Sequence, residues 1–129
     1  MSRLVCYSAD QIPYVWAEVE PLIKRGLDRG SIYTLPGIRV GLCLSKMQLW
    51  TWQNGTIHAA LVTTIQEDSG SRFCLLISAG GSRMNEWAKE LHHVEKWAKE
   101  NGCEELRIYG RSGWARKLGF EIVYMSKGL

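Results

Sequence analysis

The sequence predicts a single α+β domain, and three observations predict it. Two stretches rich in β-forming residues are joined by Asn54-Gly55, and a second turn, Asp68-Ser-Gly-Ser71, leads into a third apolar stretch. From Arg72 onward the chain reads strand, glycine turn, helix, strand, short helix, strand. Its 129 residues are the size of one hydrophobic core, and no linker, repeat or low-complexity tract divides them.

The first element is a strand over residues 4–7. Ser8-Ala-Asp-Gln11 then has the spacing of a capping box, and Ile12, Val15, Trp16, Val19, Leu22, Ile23 and Leu27 follow at helical intervals. Pro13 suits a first helical turn. Pro21 removes a backbone bond and clashes with the turn before it, so the segment is expected to break near Glu20 into two short helices, closed by Gly26 and Gly30. Residues 34–45 fit two periods: Leu35, Ile38 and Leu42 suit a capped helix, whereas Ile38, Val40, Leu42 and Leu44 alternate as a strand does. Helix is the reading adopted. Residues 47–53 and 56–66 form a hairpin about Asn54-Gly55, a pair that readily takes a type I′ turn, and residues 73–78 complete a three-strand meander. Ser82 is the expected N-cap of a helix whose buried stripe is Met84, Trp87, Leu91, Val94 and Ala98, stopped by Asn101-Gly102 as a left-handed cap. The expected order is therefore β-α-α-α-β-β-β-α-β-α-β.

Composition restricts the function classes. The chain is 46% hydrophobic and 22% charged with a formal net charge of +3 and no basic block, so nucleic-acid binding is not indicated. No window approaches the roughly 20 apolar residues of a membrane span, and no signal-like segment opens the chain, so a cytoplasmic protein without a membrane partner is expected. Cys6, Cys43, Cys74 and Cys103 are scattered and read as buried free thiols. A metal site with His92 and His93 is not expected, because neighbouring helical positions point in different directions. Asn54-Gly-Thr56 has the form of a glycosylation acceptor and reads as a turn.

At Gly80-Gly81 an apolar run passes straight into an amphipathic helix, which gathers free N–H groups and a positive dipole end at one point. A phosphate suits such a point. Together with Leu118-Gly-Phe-Glu121, the segment resembles the coenzyme A-binding half of the GNAT (Gcn5-related) N-acetyltransferases. Gly110-Arg-Ser-Gly-Trp-Ala-Arg-Lys-Leu-Gly-Phe-Glu121 looks like the C-terminal signature of small acetyltransferase-like proteins encoded by tailed bacteriophages; the likeness spans residues 72–127. It implies a three-layer α/β/α domain with a twisted, mainly antiparallel sheet and a central parallel strand pair, residues 73–79 and 105–109, opened into a V that holds the pantetheine arm.

The resemblance further implies acetyl-CoA as cosubstrate, in contact with Ile77, Ser78, Ala79, Gly80, Gly81, Ser82, Arg83 and Met84, where Arg83 adds a charge-assisted bond to phosphate. Read without it, Gly80-Gly81 serves equally as a tight strand-to-helix turn. Many members of that family carry a tyrosine as general acid three residues before Leu-Gly-Phe; here the position is Ala115, and Tyr109 or Tyr124 would substitute, each equally suited to a core role. An ammonium cannot attack a thioester, so a base is needed too: Glu67 is the first candidate and His58 the second. Arg107, Arg111, Arg116 and Lys117 read as a solvated face or as a seat for a coenzyme A phosphate.

The implied function is an acetyl-CoA-dependent N-acetyltransferase of phage type, working in the bacterial host cytoplasm on an unidentified amine. The competing reading is an inactive module of the same fold that binds a host or virion protein, or forms a homodimer, through an exposed Trp50 and Trp52 on one strand face.

Overall fold

The computed structural model describes residues 2–27 and 32–108. Among the described residues five strands form one sheet: β1 (Ser2–Tyr7), β2 (Gln48–Asn54), β3 (Thr56–Asp68), β4 (Ser71–Gly81) and β5 (Glu105–Ile108), in the order β1-β2-β3-β4-β5. The first three junctions are antiparallel and the β4–β5 junction is parallel. Helices α1 (Ile12–Gly26) and α2 (Leu35–Cys43) cover one face, where Val15, Val19, Ile23, Ile38 and Leu42 pack on Leu49, Ala60 and Val62. On the other face α3 (Met84–Trp87) and α4 (His92–Glu100) flank a buried Leu91, and Trp87, Leu91 and Val94 pack on Trp50, Trp52, Leu61 and Leu76. The expected α+β class with three layers is the observed one. Residues 59–64 of β3 are buried without interruption because helices cover both sides of the sheet.

Among the described residues two α-helices precede β2, where three were expected. α1 runs unbroken through Pro21, because Val19 and Ile23 on either side of it are completely buried while Pro21 itself stands on the solvent face. The Ala17 carbonyl that the proline leaves without its helical donor is therefore on the exposed side, where water can bond it. The box at its start is present, with the Ser8 N–H donating to Gln11 Oε1 at 2.9 Å, but it caps a 3₁₀ turn (Ala9–Gln11) that leads into α1. For residues 34–45 the helical period wins. The Thr34 hydroxyl oxygen accepts the Gly37 N–H at 3.2 Å, and Ile38, Gly41 and Leu42 turn inward.

The β2–β3 hairpin lacks the type I′ turn, since of its two turn residues only Gly55 has a positive φ, 80°. The register explains this: Trp52 pairs with Ala59 and Gln53 with Ile57, so the strands cross a bulge that leaves His58 over, and the closing pair is Asn54 with Thr56. Two successive positive φ values occur instead at the β3–β4 turn, 53° at Ser69 and 84° at Gly70.

The helix expected to follow the glycine turn is three pieces where one was expected, α3 and α4 being separated by a 3₁₀ turn (Ala88–Glu90). A 3₁₀ turn rises about 2.0 Å per residue against about 1.5 Å in an α-helix, which lengthens the segment while Trp87 and Leu91 both stay buried. Ser82 is not the cap. Its N–H is still tied to the sheet through the His58 carbonyl at 2.9 Å, so the cap falls to Arg83, in the left-handed region at φ 60°. The stop is as expected: Gly102 has φ 81°, its N–H reaches the Lys99 carbonyl at 3.0 Å, and the Cys103 N–H reaches that of Ala98 at 2.9 Å.

Candidate functional site

β4 and β5 pair from Phe73 with Glu105 to Leu76 with Ile108. At the next residue β4 bulges, because Thr63 pairs with Leu76 and Val62 with Ser78, leaving Ile77 over. Ile77 and Ser78 consequently both face the α1 layer: Ile77 packs against its core, and the Ser78 hydroxyl donates to the Ile23 carbonyl at 2.9 Å. Beyond the bulge, residues 78–81 stay paired to β3 and, among the described residues, to nothing on the β5 side. Among the described residues, the β4 peptide edge over 78–81 is thus unpaired on that side, immediately before the loop.

The two glycines that follow are in contact with the protein's own backbone. A Cβ at Gly80 would lie 2.1 Å from the Leu22 carbonyl oxygen and 2.7 Å from the Gly26 nitrogen, and one at Gly81, where φ is 134°, would lie 2.2 Å from the His58 carbonyl oxygen. Gly26 answers Gly80 from the helix, since a Cβ there would meet the Ser78 hydroxyl at 2.3 Å and the Ala79 carbonyl carbon at 2.6 Å. The last turn of α1 and the end of β4 therefore touch backbone to backbone. Sequence reading took Gly26 only as a helix end; the usable signal was a glycine inside an amphipathic helix, which costs stability unless something approaches closely.

Of the segment predicted to hold the cofactor, Ser78, Ala79 and Gly80 are buried, Ile77 and Met84 are half-buried, and Gly81, Ser82 and Arg83 are exposed. The Glu86 and Trp87 N–H groups turn back to the Arg83 carbonyl at 2.9 and 3.1 Å, whereas those of Met84 and Asn85 belong to a first helical turn and have no intrahelical acceptor. The Arg83 guanidinium lies 3.8 Å from the Glu86 carboxylate.

His58 is brought to this loop and Glu67 is not. Glu67 pairs across the hairpin with Arg72, seven positions along β3 from the Ala60–Gly80 pair, a span of about 23 Å at about 3.3 Å per residue. There it is exposed and accepts from Arg72 Nη1 at 2.8 Å, while Arg72 Nε donates to the Asn101 carbonyl at 2.9 Å. Arg107 lies over the Phe73 ring with its guanidinium carbon 3.9 Å from the centroid. Tyr109, Tyr124, Arg111, Trp114, Ala115, Arg116, Lys117 and the whole signature over 110–121 lie outside the described residues.

Trp50 and Trp52 are 5% and 1% exposed, so the aromatic patch expected of a partner-binding module is absent at that place. Both belong to the core under α3 and α4, where Trp50 Nε1 donates to the Thr63 hydroxyl at 3.0 Å and Trp97 meets the Trp50 ring edge-on at 5.4 Å. The histidines also differ from expectation, their ring centroids being 4.0 Å apart. Each ring is turned back toward the preceding 3₁₀ turn by its own neighbour, His92 Nδ1 by the Lys89 carbonyl at 2.8 Å and His93 Nε2 by Glu90 at 3.4 Å. Among the described residues no group of three His, Cys, Asp or Glu side chains could hold a metal ion, and no helix is long and apolar enough to cross a membrane.

The four thiols divide evenly, which corrects the expectation that all are buried: Cys74 and Cys103 are, Cys6 and Cys43 are exposed. Burial, then the neighbouring Cys103, push the Cys74 thiol up to about 12, with a hydrogen bond from Thr63 acting in the other sense. It is not a nucleophile at neutral pH. Two thiols are expected to react quickly with a disulfide reagent and two only on unfolding; four fast thiols in native protein would contradict the packing. Because the folded Cys74 keeps its proton while the unfolded thiol loses its own near the ordinary 9.0, its contribution to stability is full below that pH and is lost as pH rises from 9.0 towards about 12. A Cys74→Ala variant should lose less stability over that window in alkaline urea melts.

No family model matches the sequence. No curated protein matches it either. Solved structures do match in shape. AAC(6')-Iy in complex with the bisubstrate analogue CoA-S-monomethyl-acetylneamine is similar over 100% of this chain and 99% of its own, at 13% identity and TM-score 0.69. A predicted acetyltransferase from Clostridium acetobutylicum, with acetyl-CoA, is similar over 99% and 96% at 12% identity and TM-score 0.67. Glucosamine-6-phosphate N-acetyltransferase from Arabidopsis thaliana is similar over 99% and 98% at 13% identity and TM-score 0.63. The fold is that of the GNAT acetyltransferases.

Proposed function

We propose that the protein is an acetyl-CoA-dependent N-acetyltransferase of the phage type, acting on an amine in the cytoplasm of a bacterial host. The observation that carries this is the parallel β4–β5 pair whose described pairing stops at the Ile77 bulge, directly before an exposed, arginine-bearing loop and a helix start. That arrangement fits the cosubstrate. A pantetheine arm carries amide groups that pair with a free strand edge, and its phosphates suit Arg83 and the unbonded N–H groups of Met84 and Asn85.

When bound, acetyl-CoA supplies an acyl thioester. The chain's own part is to hold the arm along residues 77–81, to seat the phosphates at residues 81–85, and to move two protons. Glu67 is the proposed base for the ammonium of the acceptor, acting through a chain of water because it stands along β3 away from residues 77–81, and Tyr109 or Tyr124 is the proposed acid for the departing thiolate. In support, one structure of this fold holds acetyl-CoA and another a bisubstrate analogue built on CoA.

Calorimetric titration with acetyl-CoA tests the reading before any acceptor is known. Saturable heat and a rise in melting temperature are expected at up to about millimolar ligand, the upper range of enzyme affinities for their substrates. No heat and no thermal shift would end it. With an acceptor in hand, Glu67→Gln is expected to lower turnover roughly 10²-fold. Its melting temperature should hardly move, because the exposed pair with Arg72 is worth at most about 1 kcal/mol. Unchanged turnover would place the base elsewhere.

A further inference from the structure

The bulge in β3 leaves one residue over, and the chain uses that residue as the footing of the loop that leaves β4. The His58 carbonyl holds the Ser82 N–H at 2.9 Å, and Gly81 presses so closely on the same oxygen that no side chain fits. The imidazole is held as well: Nε2 lies 3.1 Å from the Asn54 carbonyl, and the ring is 5.7 Å from that of Trp52. Since Trp52 shares its core with Trp87 and Met84, the half-buried imidazole stands on the face of the sheet that α3 covers, at the rung where the loop begins. The carbonyl at Nε2 makes that nitrogen a donor. Nδ1 has no partner among the described residues.

We propose that His58 is a binding residue for the phosphates of a coenzyme A thioester, its Nδ1 taking a proton from solvent and donating it in a charge-assisted hydrogen bond to a phosphate oxygen beside Arg83. The proposal rests on the acetyltransferase reading. Charge supplies the motive: among the described residues, the loop's one cation, Arg83, already has Glu86 at 3.8 Å, and Trp52 and Asn54 on β2 are uncharged, so a protonated His58 adds positive charge where a diphosphate arrives. A histidine is the side chain that can gain one near neutral pH.

The test is calorimetric titration of the full chain with coenzyme A, near neutral pH, in two buffers of different ionisation heat, which counts the protons taken up on binding. Wild type should take up part of a proton more than His58→Gln, and the variant, which keeps an amide donor for the Asn54 carbonyl, should bind about tenfold more weakly. His58→Asn gives the same comparison should the glutamine variant fail to fold. Equal affinity and equal proton uptake in wild type and variant would overturn the proposal alone. Weaker binding with unchanged proton uptake would also overturn it, by showing that His58 acts only through the shape of the loop. Absence of any coenzyme A binding by wild type would overturn the acetyltransferase reading, and the proposal with it.

Discussion

Gly80→Ala is expected to destabilise the domain by about 4 kcal/mol or more, the range reserved for changes that a fold cannot absorb. The new methyl group would be driven to 2.1 Å from the Leu22 carbonyl oxygen and 2.7 Å from the Gly26 nitrogen, and both obstacles are backbone. A crowded side chain can rotate away, but here α1 would have to lift from β4. Lifting it would also strip the Ser78 hydroxyl of its acceptor, the Ile23 carbonyl, and open the core around Val19 and Ile23. Gly26→Ala should act similarly from the helix side, in spite of alanine's better helix propensity, because its methyl would meet the Ala79 carbonyl carbon at 2.6 Å. Urea melts decide it: a loss under about 1 kcal/mol for either variant would mean that helix and strand are less closely apposed than described. Gly81 is likewise a poor place to test the cofactor, since any side chain there strains a φ of 134° and strikes the His58 carbonyl. Arg83→Gly serves better, removing the guanidinium while relieving a left-handed residue.

Leu91→Ala is expected to cost about 2–5 kcal/mol through lost burial and the cavity left between Trp87, Val94 and the sheet. Leu91 sits between the 3₁₀ turn and α4, 3% exposed, and no polar contact offsets its removal. His92→Ala, one residue on, exposes nothing new and should change stability by under about 0.5 kcal/mol. Similar small effects from both in a urea melt would mean that the stripe faces elsewhere.

The parts of the fold legible in the sequence are those governed by local period. The inward faces of α1 and α2, the strands of the meander, the stripe over Trp87, Leu91, Val94 and Ala98, and the stop at Gly102 all appear where spacing placed them. What escaped is set between elements. Pro21 stays inside α1 because tertiary burial of Val19 and Ile23 outweighs the local penalty. The extra residues at His58 and Ile77 follow from the pairing of strands over long stretches, and no short window of sequence contains that pairing. The candidate site was legible to the same degree. The loop of residues 80–84 was found as a strand-to-helix turn, but what its glycines touch, and that His58 rather than Glu67 stands beside it, depend on which backbones meet.

The backbone contact between Gly26 and Gly80 also divides the chain by its tolerance of added length. One residue inserted into α1 ahead of Gly26 would rotate the rest of the helix by about 100°, swing Gly26 away from β4 and put a side chain in its place. That helix can change in composition along its solvent face but not in length. The hairpin tips are under no such constraint, for among the described residues nothing lies within 4 Å of the place a Cβ would occupy at Gly55 or Gly70. Lineages carrying this domain can therefore gain recognition loops or whole appended segments at those two tips, while the span from Ile12 to Gly26 keeps its residue count.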